Sequence, residues 1–195
     1  MTLISVQPRR FSREEYHRMG EAGLFRGERV ELIKGAVVAM SPHDPLHAGA
    51  VENASTVLNR LLGSAYVVRV QLPMVAPDDS EPEPDLLLLT HEQARQFRRE
   101  RRHPDGAVLV VEVSRTSLDY DRLEKSSLYA ETGVAEFWII NLVDMVVETS
   151  RQPARDPAAR LGWCYRETAV LGPDEVLSFD GVSIPVGGLF ADLNA

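Results

Sequence analysis

The stretch AVLVVEVSRTSLDYDRLEKSSLYAETGVAEFWIINLV, residues 107–143, decides the fold. Ala107–Val113 is an apolar, β-branched run of strand length, and Glu136–Val143 is a second one. Between them Asp119–Thr132 is polar and helix-favouring, and Gly133 closes it. Strand, helix and strand in that order form a βαβ unit, so the spacing predicts an α/β protein built on a mixed sheet.

Further elements are legible on either side. Tyr66–Ala76 and Leu86–Leu89 read as additional strands, and His47–Leu62 as an amphipathic helix ended by Gly63. Arg29–Met40 holds two apolar runs around Lys34-Gly35, the pattern of a tight hairpin. Phe11–Met19 suits a short helix covering a sheet edge, with Ser12 and Glu15 spaced as a capping box. Downstream, strands are expected around Met145–Thr149 and Gly162–Val170, with SRQPARDPAAR between them as an exposed loop. The 195 residues are expected to form one domain, 1–195, with a core over about 11–143 and a C-terminal β extension over about 144–195.

Composition narrows the class. Hydrophobic residues at 44% and charged residues at 26% fit a folded globular chain. The lone Cys164 excludes an intramolecular disulfide and a cysteine-based zinc cluster, which predicts a reducing, cytoplasmic location. MTLISVQPRR lacks the apolar run of a secretion signal, and no stretch reaches membrane-spanning length. A net charge of −8 argues against strong nonspecific binding along a nucleic-acid backbone. Residues 95–102 oppose that trend: five arginines (Arg95, Arg98, Arg99, Arg101, Arg102) face one glutamate, so this segment carries +4 and the rest −12. The run reads either as a solvated face or as a local phosphate-holding surface near the acidic site.

Three carboxylates stand inside apolar sequence. Glu112 lies within AVLVVEVS, Asp85 directly precedes LLLL and is fixed by Pro84, and Glu31 sits between Val30 and Leu32. A buried carboxylate must be paired, protonated or metal-bound, and three such acids suit a hard divalent cation. Glu112 reaching solvent or an arginine, and Asp85 as a turn residue, are the plainer alternatives. Lys125 shares a helix face with Asp121 and Tyr129, and an exposed Asp121–Lys125 ion pair explains it equally well. His47 at a helix start reads as a capping or structural residue before a metal ligand, and Pro45 separates it from His43. Phe137 and Trp138 are expected in the core. Walker, dinucleotide, HExxH and CxxC patterns are absent, and Ser183 in GVSIP misses the nucleophile elbow.

The ordered series EPEPD at Glu81–Asp85, VVEVS, then DYDRLEKSSLYAETGVAEFWIIN resembles the PD-(D/E)XK nuclease superfamily, specifically its Uma-type restriction endonucleases. With the ELIKG hairpin and His47, the resemblance runs from about Phe11 to Asn141. It implies a restriction-endonuclease-like mixed β-sheet flanked by helices, with extra C-terminal strands. It also implies metal ligation by Asp85, Glu112 and the Val113 carbonyl. Ser114 occupies the usual lysine position, and Lys125 on the following helix matches the lysine that similar families place there. Glu31 matches an acid contributed by an early element.

The implied activity is a Mg²⁺-dependent, or Mn²⁺-dependent, DNA endonuclease. Asp85 and Glu112 would bind the cation, Lys125 would assist the water and Glu31 would orient the shell. A homodimer would present one site to each strand of a duplex. The alternative is a catalytically inactive nuclease-fold module that binds nucleic acid or a protein partner.

Overall fold

The fold is that of a computed structural model describing residues 8–40 and 44–193. Its elements in chain order are α1 (Arg13–Glu21), β1 (Val30–Ile33), β2 (Ala36–Ala39), α2 (Pro45–Leu62), β3 (Tyr66–Val70), β4 (Leu86–Thr90), α3 (His91–Glu100) and β5 (Leu109–Ser114). There follow α4 (Leu118–Tyr120), a π-helical turn (Asp121–Lys125), α5 (Ser126–Glu131), β6 (Glu136–Asn141), β7 (Val146–Arg155), β8 (Trp163–Leu171), β9 (Val176–Phe179), β10 (Val182–Pro185) and a 3₁₀ turn (Val186–Phe190).

Six strands form one mixed sheet in the order β3-β4-β5-β6-β7-β8. Only β5 and β6 run parallel, and the α4–α5 helical segment joins them, as the βαβ reading requires. Every residue of β5 is buried because both faces of the sheet are covered. Alternation along β5 sends Val111 and Val113 toward α2 and the C-terminal hairpin, and Val110 toward α3 and α5. Phe137 and Trp138 are buried on opposite faces.

The β1–β2 hairpin turns at Lys34 (φ 49°) and Gly35 (φ 72°), two consecutive left-handed residues that match the twist of the strands. A Cβ at Gly35 would meet the Arg10 Cβ at 2.8 Å, so glycine also permits the close approach of the preceding chain. Ser12 caps α1 with a full capping box to Glu15. The sheet that α1 meets is this hairpin, where the Tyr16 hydroxyl donates to the Val30 carbonyl at 2.9 Å.

Three expectations are corrected. The strand expected over Tyr66–Ala76 stops at Val70, because Gln71 turns to φ 50° and Pro73 lacks a ladder donor. The cap of α2 is Asp44, whose side chain accepts the His47 backbone N–H at 2.9 Å; His47 itself lies within the first turn. SRQPAR continues β7 rather than opening a loop. Pairing with β6 ends at Arg151, so Pro153 sits where one edge of β7 no longer needs a donor, while β8 still pairs along the other. β7 and β8 are therefore outer strands of the main sheet, and Leu177, Phe179, Ile184, Leu189 and Phe190 complete the core against α2. His43 lies outside the described residues.

Candidate active site

The carboxylates meet where β4 begins beside the C-terminal half of β5. Pro84 delivers the chain to Asp85, and the Gln71 backbone N–H donates to the Asp85 carbonyl at 2.9 Å. The Asp85 carboxylate accepts three bonds: from His47 Nε2 at 3.1 Å, the Val113 backbone N–H at 2.9 Å and Gln71 Nε2 at 3.2 Å. Burial alone would raise its pKa, but these donors, His47 foremost, hold it below the usual carboxylate range. Asp85 is thus an anion fixed on both oxygens. Burial likewise works against a charged His47, and the Asp85 carboxylate outweighs it, so the imidazole pKa is raised.

Glu112 lies across the β4–β5 pair from Asp85. Its Oε1 accepts from Lys125 Nζ at 3.0 Å and from the Tyr129 hydroxyl at 2.6 Å. Among the described residues its Oε2 takes only a long bond from the Asp85 backbone N–H, at 3.3 Å. Glu31 reaches the same ammonium at 2.7 Å, because β1 pairs through Leu32 with Glu81 of the acidic loop and so lies beside the β4 entrance. Glu31, Glu112 and Lys125 are no more than 5% exposed.

The lysine is aimed by the helix register. The π-helical turn Asp121–Lys125 inserts one extra residue, and Asp121 and Lys125 are its two buried members. Asp121 turns to Ser114 and Ser117, whose hydroxyls donate to it at 2.6 Å each, while Lys125 turns to the two glutamates. The exposed Asp121–Lys125 ion pair is therefore not formed. Ser114 is occupied by Asp121 and supplies no cation.

Burial pushes the Glu112 carboxyl up to about 8, with Asp121 and Asp85 adding to the effect against Lys125 and Tyr129. Lys125 is also buried, yet the field of Glu112 and Glu31 carries its pKa well above the ordinary value. The ammonium is the group that stays charged, since it bonds two carboxylates at once. Glu112 is the member that takes up a proton when no other cation is near.

The resulting cleft has a volume of about 230 Å³ and is lined by Glu31, His47, Asp85, Glu112, Asp121 and Lys125, together with Val113 and the Tyr120 ring. At its mouth Asp44 pairs with Arg115 at 2.9 Å. The Tyr120 hydroxyl is buried without a hydrogen-bond partner among the described residues. Among those residues, no group of three His, Cys, Asp or Glu side chains stands arranged as a metal cage, and Glu31 is engaged with Lys125. Asp85 and Glu112 nevertheless fit a small hard cation. They are oxygen donors on adjoining strands, facing an open cleft, and one of them is under-compensated in charge; such ions take one or two carboxylates and leave other positions to water and phosphate. Gln71 and the side-chain role of His47 were not readable from sequence, since both depend on where two separate segments return to β4. Tyr129 carried a signal, its four-residue spacing from Lys125.

Comparison with known proteins supplies the family and the fold. The family model described as "Putative restriction endonuclease", Uma2, matches residues 13–186. The chain belongs to the Uma2 family. No curated protein matches it. Among solved structures, a protein from Anabaena variabilis ATCC 29413 described as a "putative nuclease belonging to DUF820" superposes with a TM-score of 0.67 at 16% identity. The match covers 94% of this chain and 99% of that one. That likeness establishes a shared fold, and the Uma2 chain has the mixed sheet, flanking helices and additional C-terminal strands of a restriction-endonuclease-like protein. Among the described residues no helix is long and apolar enough to cross a membrane.

Proposed function

We propose that this Uma2 chain is a divalent-metal-dependent endonuclease that hydrolyses phosphodiester bonds in DNA, with Mg²⁺, or Mn²⁺ in its place, as cofactor. The observation that carries the reading is the convergence of Asp85, Glu112 and Lys125, from two strands and a helix, on one cleft. Asp85 and Glu112, with the Val113 carbonyl, would hold the cation, which supplies Lewis-acid polarisation of the phosphoryl oxygen and a more acidic water.

The chain's own groups divide the remaining work. Asp85, kept ionised by His47 and the Val113 N–H, presents a fixed negative charge. Gln71 holds its other oxygen and so limits its rotation. Lys125 places a positive charge beside Glu112, where it stabilises negative charge gathering on the phosphoryl group. Glu31 holds the ammonium from the opposite side and acts as a positioning residue. Residues 1–195 acting as one domain, and a two-fold dimer serving both strands, complete the proposal.

The test is cleavage of single- and double-stranded DNA with Mg²⁺ or Mn²⁺, set against EDTA. D85N, E112Q and K125M are each expected to lose at least about 100-fold in rate, the scale of removing one preorganised electrostatic group. Metal-independent cleavage, or full activity in all three folded variants, would refute the site. DNA binding without cleavage under every condition would favour the inactive module.

A further inference from the structure

A basic pocket, distinct from the carboxylate cleft, lies at the β3–α3 side of the sheet. It is lined by Arg69 of β3, Phe97 and Arg98 of α3, and Arg101, Arg102 and His103 just beyond that helix. Arg98, Arg101 and Arg102 of the arginine run line this pocket and not the acidic cleft. Of these, among the described residues, Arg102 alone has acidic partners, Glu100 at 2.5 Å and Asp105 at 2.7 Å, and its guanidinium also lies over the Phe97 ring at 4.6 Å. Among the described residues Arg98 and Arg101 make no ion pair, and Arg69 Nε is buried without a hydrogen-bond partner. Arg101 adopts φ 51°, ψ 42° at the end of α3, a left-handed position where glycine is the unstrained choice. A chain of net charge −8 thus gathers uncompensated guanidinium groups in a single pocket.

We infer that this pocket is a phosphate-binding exosite that holds the backbone of a nucleic-acid strand beside the cleavage centre. Arginine presents a planar fork of donors that matches phosphate oxygens, and an anion would satisfy Arg69 Nε and separate Arg69 from Arg98. Burial and the like charge of Arg98 lower the Arg69 pKa, consistent with a cation awaiting a counterion. The location suits a strand passing between the two sites. Arg69 pairs with Leu87, two residues along β4 from Asp85, which puts their backbones ~8 Å apart by sheet geometry. β3 ends at Val70, and the next residue, Gln71, donates from its side chain to Asp85. The identity of the polyanion rests on the nuclease reading; the unpartnered pocket does not.

The experiment is fluorescence anisotropy of a labelled DNA duplex with the full chain in EDTA, over a range of salt concentrations. The R98Q/R101G pair is expected to bind at least 10-fold more weakly than the parent. The slope of log affinity against log salt should fall by about 2, near 0.9 for each phosphate contact removed. R101G relieves a left-handed arginine, so its melting temperature should match or exceed the parent's, which separates lost binding from lost folding. Unchanged affinity and slope would overturn the exosite. So would displacement of the duplex by polyglutamate at equal charge concentration, which would assign the pocket to an acidic protein surface. A parent that binds through these arginines but cleaves nothing with Mg²⁺ or Mn²⁺ would leave the exosite standing and remove the nuclease reading.

Discussion

Lys125 is the residue on which the cleft's electrostatics turn. It bonds Glu31 and Glu112 at once, and all three side chains are buried. Lys125→Met leaves two carboxylates without their common cation, and breaking a buried pair from one side costs about 3–5 kcal/mol. A urea titration should show that loss, and the K125M/E112Q/E31Q combination should recover much of it while remaining inactive. Glu112 yields a pH prediction. Burial pushes its carboxyl up to about 8 from the ordinary 4.5, so between those values the folded state holds a proton that the unfolded state has released. Stability in EDTA should therefore fall as pH rises from about 5 to 8. Thermal melts across that range should flatten in E112Q. In the parent, added Mg²⁺ should restore more stability at pH 8 than at pH 6, because the cation competes with that proton.

At the scale of elements, the π-helical turn separates the duties of Asp121 and Lys125. Four residues apart in a regular α-helix, they would lie on one stripe and compete for one another, as the spacing suggested. The extra residue lets Asp121 serve Ser114 and Ser117 while Lys125 serves the glutamates. Deleting the exposed Leu123 should restore α-helical register and turn one of the two about 100° away from its partners. Cleavage should then drop more than about 10-fold, read beside circular dichroism that reports retained helix; a deletion variant with parental activity would remove the turn from the catalytic argument. The hairpin contributes similarly by position, since its pairing with the acidic loop is what brings Glu31 to the lysine.

Across the whole molecule, the C-terminal third closes the core that the site rests on. Ile184 and Leu189 are fully buried with α2 and Trp138 in one cluster, although they lie far beyond the βαβ unit in sequence. Ile184→Ala or Leu189→Ala should cost about 2–5 kcal/mol in denaturant unfolding. A chain ending at residue 143 should not fold, because it exposes the apolar side of α2 and leaves β6 an unpaired edge.

The βαβ unit, the capped α1, the Lys34-Gly35 hairpin and the identity of four candidate residues were determined by sequence alone. The elements follow from local periodicity and capping chemistry, and Glu31, Asp85 and Glu112 from the cost of a carboxylate inside apolar sequence, whereas Lys125 was singled out by the family resemblance. Tertiary structure decided what those residues touch: that Lys125 leaves Asp121 for Glu31 and Glu112, that His47 and Gln71 fasten Asp85, and that β7 runs unbroken through Pro153. Those outcomes depend on contacts between segments tens of residues apart and on a single inserted helical residue. Neither leaves a periodic trace, because the free energy that selects them arises only when distant side chains are desolvated together.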